Sequence, residues 1–193
     1  MRISKDRPGE LLGKFSVPYR LRESLEITLI IVFILLTYNF LFTSVEVSSY
    51  HMLPTLHAHQ RVLVSRLPYQ LTVPRRGDVV ALADGEMMYL CRVVGLPYER
   101  ITIRDRQVFV NGRYLDEPYL PNLHWRLLPD GVNSIEYRVA PRSYLLLGDN
   151  RGLDRDDCLA RGLVSQEEIV GRAWLIYWPL EDLAFVRHGS ASR

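Results

Sequence analysis

The feature that most constrains this fold is an uncharged apolar run near the N-terminus, from Ile27 to Val45. It reads ITLIIVFILLTYNFLFTSV. As an α-helix rising 1.5 Å per residue it would be about 30 Å long, which is enough to cross the hydrocarbon core of a bilayer. Its few polar residues are scattered instead of forming one polar face, so a buried core helix is disfavoured. We therefore expect a membrane anchor.

The main alternative for such a run is a cleavable signal peptide, which would have a shorter apolar core and small residues at a cleavage site. The residues that follow the run read SVEVSSYH and are poor in alanine, so we expect the run to be retained. Basic residues outnumber acidic ones before it: Arg2, Lys5, Arg7, Lys14, Arg20 and Arg22 against Asp6, Glu10 and Glu23. By the positive-inside rule, we expect a basic cytoplasmic tail over 1–23, a transmembrane helix over 24–45, and an extracytoplasmic remainder in a single-pass protein of the cell membrane.

Length and composition narrow the remaining possibilities. The chain has 193 residues, of which 48% are hydrophobic, with 24 Lys+Arg against 22 Asp+Glu, as suits one globular domain beside the anchor. Basic patches interleaved with aromatic residues are missing, so we expect no nucleic-acid partner. Cys91 and Cys158 form no CxxC pair, so we expect no structural zinc ribbon, whereas a disulfide is possible outside the cytoplasm.

After the anchor the pattern is one of short β-strands. Apolar and β-branched segments occur at 61–67, 78–82, 88–96, 100–104, 107–115, 134–139, 143–149 and 169–178. Asn111-Gly112 lies between two such runs and predicts a hairpin turn. The sequence thus predicts an all-β domain over 46–180, with an irregular, proline-containing excursion at 116–133 and a C-terminal tail at 181–193. Within the strand at 88–94, Tyr89, Cys91 and Val93 should share one face.

Four sequence stretches together resemble the type I signal peptidase family (leader peptidase, peptidase family S26), whose members are membrane-anchored serine proteases. They are SYHMLPTL at 49–56, RGDVV at 76–80, CRVVGLP at 91–97 and LLLGDNR at 145–151. Their order and spacing are similar to those of the family. The resemblance implies a signal-peptidase-like folded β-barrel or sandwich domain with one N-terminal transmembrane helix. It also implies a serine nucleophile with a lysine base, and a substrate peptide that lies extended along an edge strand.

Carried over to this chain, the resemblance puts His51 at the nucleophile position, Cys91 at the lysine position and Ser49 at the oxyanion-hole hydroxyl. Further positions implied in binding are Met52, Pro54, Tyr89, Arg92, Asp149, Asn150, Arg151 and Asp157. After GDNR the chain is one residue longer than the family pattern, so either Asp156 or Asp157 takes the aspartate position.

Several arrangements of these residues remain open. Cys91 could be a nucleophile with His51 as its base, although the oxyanion donors are grouped around residue 51 and not around residue 91. If the segment is extended, the Ser49 hydroxyl lies about 6–7 Å from the catalytic position. His51, His57 and His59 could bind a metal with Cys91, but their spacing matches no compact metal pattern. A Cys91–Cys158 disulfide is a further alternative.

Because both dyad positions are replaced, we expect a catalytically inactive pseudo-peptidase that acts as a binding or assembly subunit of a membrane complex. The alternative is an active signal peptidase that uses a His51/Cys91 pair. We expect no cofactor and no metal. The expected partners are the lipid bilayer, signal peptides or other extended peptides, and other membrane-protein subunits.

Overall fold

The computed structural model describes residues 19–85, 87–104, 107–120, 134–151 and 157–189. The chain divides into two compact units, Met1–Asn39 and Phe40–Arg193. The helices are α1 (Tyr19–Leu41), α2 (Pro68–Leu71) and α3 (Asp157–Ala160), with 3₁₀ turns at Gln166–Glu168 and Leu180–Asp182. The strands are β1 (Phe42–Glu46), β2 (Arg61–Ser65), β3 (Val79–Asp84), β4 (Met87–Gly95), β5 (Arg100–Arg104), β6 (Gln107–Val110), β7 (Arg113–Tyr114), β8 (Ser134–Arg138), β9 (Ser143–Leu147), β10 (Leu163–Ser165), β11 (Ile169–Trp178) and β12 (Ala184–Phe185).

Helix α1 contains the apolar run from Ile27 to Leu41. Its segment Arg22–Leu41 has a mean hydropathy of 2.0 and is long and apolar enough to cross a membrane. The side chains of Thr28, Thr37 and Asn39 each donate a hydrogen bond to the carbonyl one turn earlier. Their polar groups are therefore satisfied within the helix, as an apolar surrounding requires.

The helix ends at Leu41 and not at residue 45 as the hydropathy pattern suggests. Phe42–Glu46 instead forms β1, which pairs antiparallel with β2 from Phe42↔Ser65 to Glu46↔Arg61. The Leu41 carbonyl accepts a hydrogen bond from the Arg66 N–H at 2.9 Å. The boundary differs because an apolar segment rich in aromatic and β-branched residues suits a strand as well as a helix, and here pairing with β2 decides.

The second unit is all-β, as predicted. Its larger sheet has the order β1-β2-β11-β3-β4-β9-β10, with β12 added to β11, and its smaller sheet has the order β7-β6-β5-β8. Strand β1 also contacts β4, so the larger sheet curls back over its own core. The hairpin at Asn111-Gly112 is confirmed: it joins β6 and β7, and both residues have positive φ, at 51° and 81°.

The two faces of β4 lead to different parts of the core. Cys91 and Val93 are buried in one cluster, against which Tyr89 packs. Leu90 is buried in a second cluster with Met52, and Val94 in a third. The predicted alternation along this strand is confirmed.

The prediction of a C-terminal tail from residue 181 onwards is wrong for residues 181–189, which the structure describes. The 3₁₀ turn at Leu180–Asp182 leads into β12, which pairs with β11. Beyond it, Val186 is buried and the Gly189 N–H donates to the Gly77 carbonyl at 3.1 Å. The domain therefore extends at least to residue 189. Of the expected excursion at 116–133, residues 121–133 lie outside the described residues.

Candidate active site

The segment between β1 and β2 is a closed loop and not an extended chain. Its ends meet where the Val47 N–H donates to the Gln60 carbonyl at 2.9 Å. Within it, the Leu53 N–H donates to the Tyr50 carbonyl and the Leu56 N–H to the Met52 carbonyl. The turn buries the Met52 side chain completely and leaves Tyr50 exposed. Met52, predicted to bind peptide, is thus a core residue.

His51 is held at the centre of this loop by two side-chain hydrogen bonds. It is 3% exposed, and its Nε2 lies 2.8 Å from the carbonyl oxygen of Leu90 on β4. Its Nδ1 is hydrogen-bonded to the Ser49 hydroxyl. The expected separation of about 6–7 Å for Ser49 is wrong, because it assumed an extended segment. The turn at residues 50–53 brings the half-buried Ser49 side chain onto the imidazole instead.

Cys91 faces His51 across the site, as the resemblance implies, but not as a free thiol. Cys91 and Cys158 form a disulfide that joins β4 to α3, with their Cα atoms 6.0 Å apart. Both sulfur atoms lie within 4.8 Å of a ring nitrogen of His51. Of the alternatives for Cys91, the disulfide is the one observed, and it removes both the thiolate nucleophile and the thiolate metal ligand.

The other two histidines of the proposed metal group lie away from this centre. His57 and His59 are exposed, and His59 lies beside the Glu46 carboxylate at 3.9 Å. Within the described part of the chain, these two residues therefore do not form a metal-binding group with His51.

Arg92 and Asp149 form a buried ion pair under the site. The Arg92 guanidinium is fully buried and donates to both carboxylate oxygens of Asp149, at 2.7 and 2.5 Å. It also donates to the Gly77 carbonyl at 2.8 Å and stacks 4.0 Å from the Tyr119 ring centroid. Thr55 donates to Asp149 from the loop. These groups fasten the loop to β4 and to the segment that follows β9.

The residues after Asp149 hold the backbone of the loop. The Asn150 N–H donates to the His51 carbonyl at 2.7 Å, and its side-chain amide donates to the Tyr50 carbonyl at 3.1 Å. Arg151 is buried and donates to the Glu117 carboxylate at 2.7 Å. Burial and the Glu117 charge raise the pKa of Tyr119, which donates to the same carboxylate. Asn150 therefore positions the loop, whereas Arg151 pairs with Glu117.

The remaining predicted residues are spread around the site. Tyr89 is half-buried on β4. Pro54 is exposed and lines a separate cavity of about 400 Å³ beside Tyr119 and Arg187. Asp157 is the first residue of α3. Asp156 lies outside the described residues, so the choice between these two aspartates stays a prediction.

Several contributing groups were not indicated by the sequence. The Leu90 carbonyl, Thr55, Glu117 and Tyr119 all belong to the support of His51 or of the ion pair beneath it. Thr55 lies within the SYHMLPTL stretch and could have been singled out there. A backbone carbonyl carries no side-chain signal, and the partners of Glu117 are set by long-range packing.

Two strand edges have a strand partner on one side only within the described residues. Strand β9 pairs with β4 only from Arg92 to Gly95, so the stretch Met87–Cys91 pairs on one side alone, with β3. Strand β1, at the end of the sheet order, pairs only with β2. At Leu90 the β4 carbonyl already accepts a hydrogen bond from His51, and Leu90 and Cys91 are buried. The remaining backbone groups of such edges can bind an extended peptide by hydrogen bonds.

Several known proteins are similar to this chain. Residues 21–178 match the family model described as "Signal peptidase, peptidase S26". Signal peptidase I of Bacillus caldolyticus is 35% identical in an alignment of 156 residues that covers 76% of this chain and 85% of that protein. Signal peptidase I S of Bacillus subtilis (strain 168) is 30% identical in an alignment of 162 residues that covers 81% of this chain and 88% of that protein. A crystal structure of a signal peptidase I from Enterococcus faecalis is similar with a TM-score of 0.42 and 26% identity, over 52% of this chain and 97% of that one. With a match across nearly all of its described length, this chain belongs to the signal peptidase family, peptidase S26.

Proposed function

We propose that this protein is a membrane-anchored endopeptidase that cleaves signal peptides from exported proteins. The observation that carries the proposal is the Ser49–His51 hydrogen bond next to the open edge of β4. It supplies a hydroxyl and a base in contact in a chain that has His51 and Cys91 where the family resemblance implies the serine and the lysine. The relatives over most of the chain are named signal peptidase I, which supports the same reaction class.

The setting of the domain fits this activity. Helix α1 is long and apolar enough to serve as the anchor, and the basic residues before it favour a cytoplasmic N-terminus. The disulfide between Cys91 and Cys158 supports an oxidising, extracytoplasmic location for the β domain, because such bonds persist there and are rare in the cytoplasm.

The second candidate is the pseudo-peptidase that binds peptides or assembles with other membrane subunits. The observation that favours it is the disulfide at the lysine position, which leaves no amine and no thiol at residue 91. Under this reading the open edges of β1 and β4 would bind an extended segment without cutting it. The two candidates differ in whether the peptide bond is broken.

The test uses the full-length chain in lipid vesicles with a precursor protein that carries a signal peptide, and products are identified by mass spectrometry. We expect cleavage at the signal-peptide boundary. The His51→Ala variant should lose at least about a hundredfold in rate, the contribution typical of a general base. The exposed His57 offers a matched control, and His57→Ala should leave the rate unchanged. Intact precursor that still binds to the wild-type protein would reject the peptidase in favour of the binding subunit.

A further inference from the structure

We propose that Ser49 is the nucleophile of this protein, with Nδ1 of His51 as its general base and the Leu90 carbonyl as the group that orients the base. This assignment rests on the proposed peptidase function. It gives Ser49 a role different from the oxyanion-hole hydroxyl that the family resemblance implies for its position. The catalytic pair would then lie within one loop and would not bridge the loop and β4.

The hydrogen bonds determine the proton positions on His51. The Leu90 carbonyl can only accept a hydrogen bond, so Nε2, at 2.8 Å from it, carries the ring proton. In the neutral imidazole, Nδ1 then has a free lone pair, and the Ser49 hydroxyl is the group that donates to it. A serine on an imidazole nitrogen, with the opposite N–H fixed by an acceptor, is the arrangement that activates a hydroxyl.

The Leu90 carbonyl is available for this role because of the strand pairing. Leu90 pairs with Ala81 on β3, whereas β9 begins to pair with β4 only at Arg92. On the side away from β3, Leu90 thus has no strand partner among the described residues. A neutral carbonyl stabilises the imidazolium less than a carboxylate would, so we expect a slower reaction than that of a full triad.

The exposure of the two side chains suits their roles. His51 is almost fully buried, whereas Ser49 is only half-buried, so a substrate can reach the hydroxyl while the base stays shielded from water. The backbone N–H groups of Tyr50, His51 and Met52 donate no hydrogen bond within the described ranges. They are the donors from which an oxyanion hole beside Ser49 can be built.

The disulfide removes the competing assignments. With Cys91 bonded to Cys158, neither sulfur can attack a carbonyl or remove a proton. Among the described residues, His51 is the one titratable side chain that makes a hydrogen bond to Ser49.

The reaction balances with these groups alone. The Ser49 Oγ forms a bond to the scissile carbonyl carbon while its proton moves to Nδ1 of His51. The C–N bond then breaks, and the same proton passes to the leaving amine, which leaves an ester on Ser49. Water attacks this ester and gives a proton to Nδ1. When the C–Oγ bond breaks, that proton returns to Ser49 and the carboxylic acid departs.

The test uses two readouts on the full-length chain. A fluorophosphonate probe should form an adduct that mass spectrometry locates on Ser49. Labelling should fall at least about a hundredfold in His51→Gln. Ser49→Ala should abolish both labelling and precursor cleavage, with an unchanged unfolding midpoint. The exposed neighbour Ser48 supplies the control, since Ser48→Ala should behave as the wild type.

The outcomes separate this inference from the proposed function. Cleavage that persists in Ser49→Ala would overturn the nucleophile assignment and leave the peptidase function standing. His51-dependent labelling of Ser49 without precursor cleavage would support the assignment and reject the signal-peptide substrate. An adduct that is absent, or that lies on another serine, would overturn the assignment.

Discussion

The Cys91–Cys158 disulfide should be a main contributor to the stability of the β domain. It closes a loop with a sequence separation of 67 residues. In the chain-entropy model, closing a loop of this size lowers the entropy of the unfolded chain by an amount worth about 4 kcal/mol at 25 °C. Helix α3 (Asp157–Ala160) is too short to be stable alone, so its place depends on its packing against β9 and on the covalent bond to β4.

The perturbation is the double variant Cys91→Ala/Cys158→Ala. Both sulfur atoms are buried in a cluster that includes Val80 and Tyr144, so their removal also leaves unfilled space beside these side chains, which adds to the loss. We expect a fall of about 4–5 kcal/mol in the free energy of unfolding, a large part of the total for a domain of this size.

The measurement is urea unfolding of the full-length chain in detergent micelles, followed by tryptophan fluorescence, with the wild type in parallel. Wild-type protein treated with a reductant should lose nearly as much stability as the double variant. A loss below about 1 kcal/mol for both would refute the reasoning, because the loop-closure entropy alone exceeds it.

Three other predictions concern substitutions of Arg92, His188 and Gly171. Arg92→Met should lower the free energy of unfolding by about 3–5 kcal/mol because it leaves the Asp149 carboxylate buried and unpaired. In urea unfolding, adding Asp149→Asn should recover part of this loss, whereas a double variant whose loss equals the sum of the two single losses would contradict the pairing. Burial, with neighbouring guanidinium groups, lowers the pKa of His188 from 6.5 to about 4. Between these pH values the unfolded chain therefore binds more protons than the folded chain, so the contribution of His188 to the free energy of unfolding is fully present above pH 6.5 and is lost as the pH falls towards 4. The dependence of the free energy of unfolding on pH should be weaker in His188→Gln, and an unchanged dependence would reject the assignment. A Cβ on Gly171 would lie 2.4 Å from the Ser65 carbonyl oxygen. Gly171→Ala should therefore lower the free energy of unfolding by about 2–3 kcal/mol and speed amide hydrogen exchange along β2 and β11. Exchange as slow as in the wild type would contradict the close packing.

Much of the fold could be predicted from the sequence because its signals are local. The uncharged run predicted α1, Asn111-Gly112 predicted the β6–β7 turn, and the alternation along β4 predicted which side chains share a face. The position of Cys91 opposite His51 followed from the family resemblance.

What could not be predicted depends on partners distant in the chain. Residues 42–45 continue the uncharged run of the membrane helix, and only pairing with β2 makes them part of a strand. The segment at Leu180–Phe185 is held by β11. The Ser49–His51 contact was missed because no glycine marks the turn at residues 50–53. Here the burial of Met52 and the hydrogen bonds of Asn150 bend the chain.

The two hydrogen bonds of Asn150 have a consequence for how this site can evolve. They recognise the carbonyl groups of Tyr50 and His51 and not their side chains. The loop is thus clamped through atoms that every amino acid possesses, so a change of side chain at residue 51 leaves the clamp intact. A lineage can exchange one catalytic apparatus for another at such a position while the scaffold keeps its shape, and an engineer can use the same freedom to install new chemistry there.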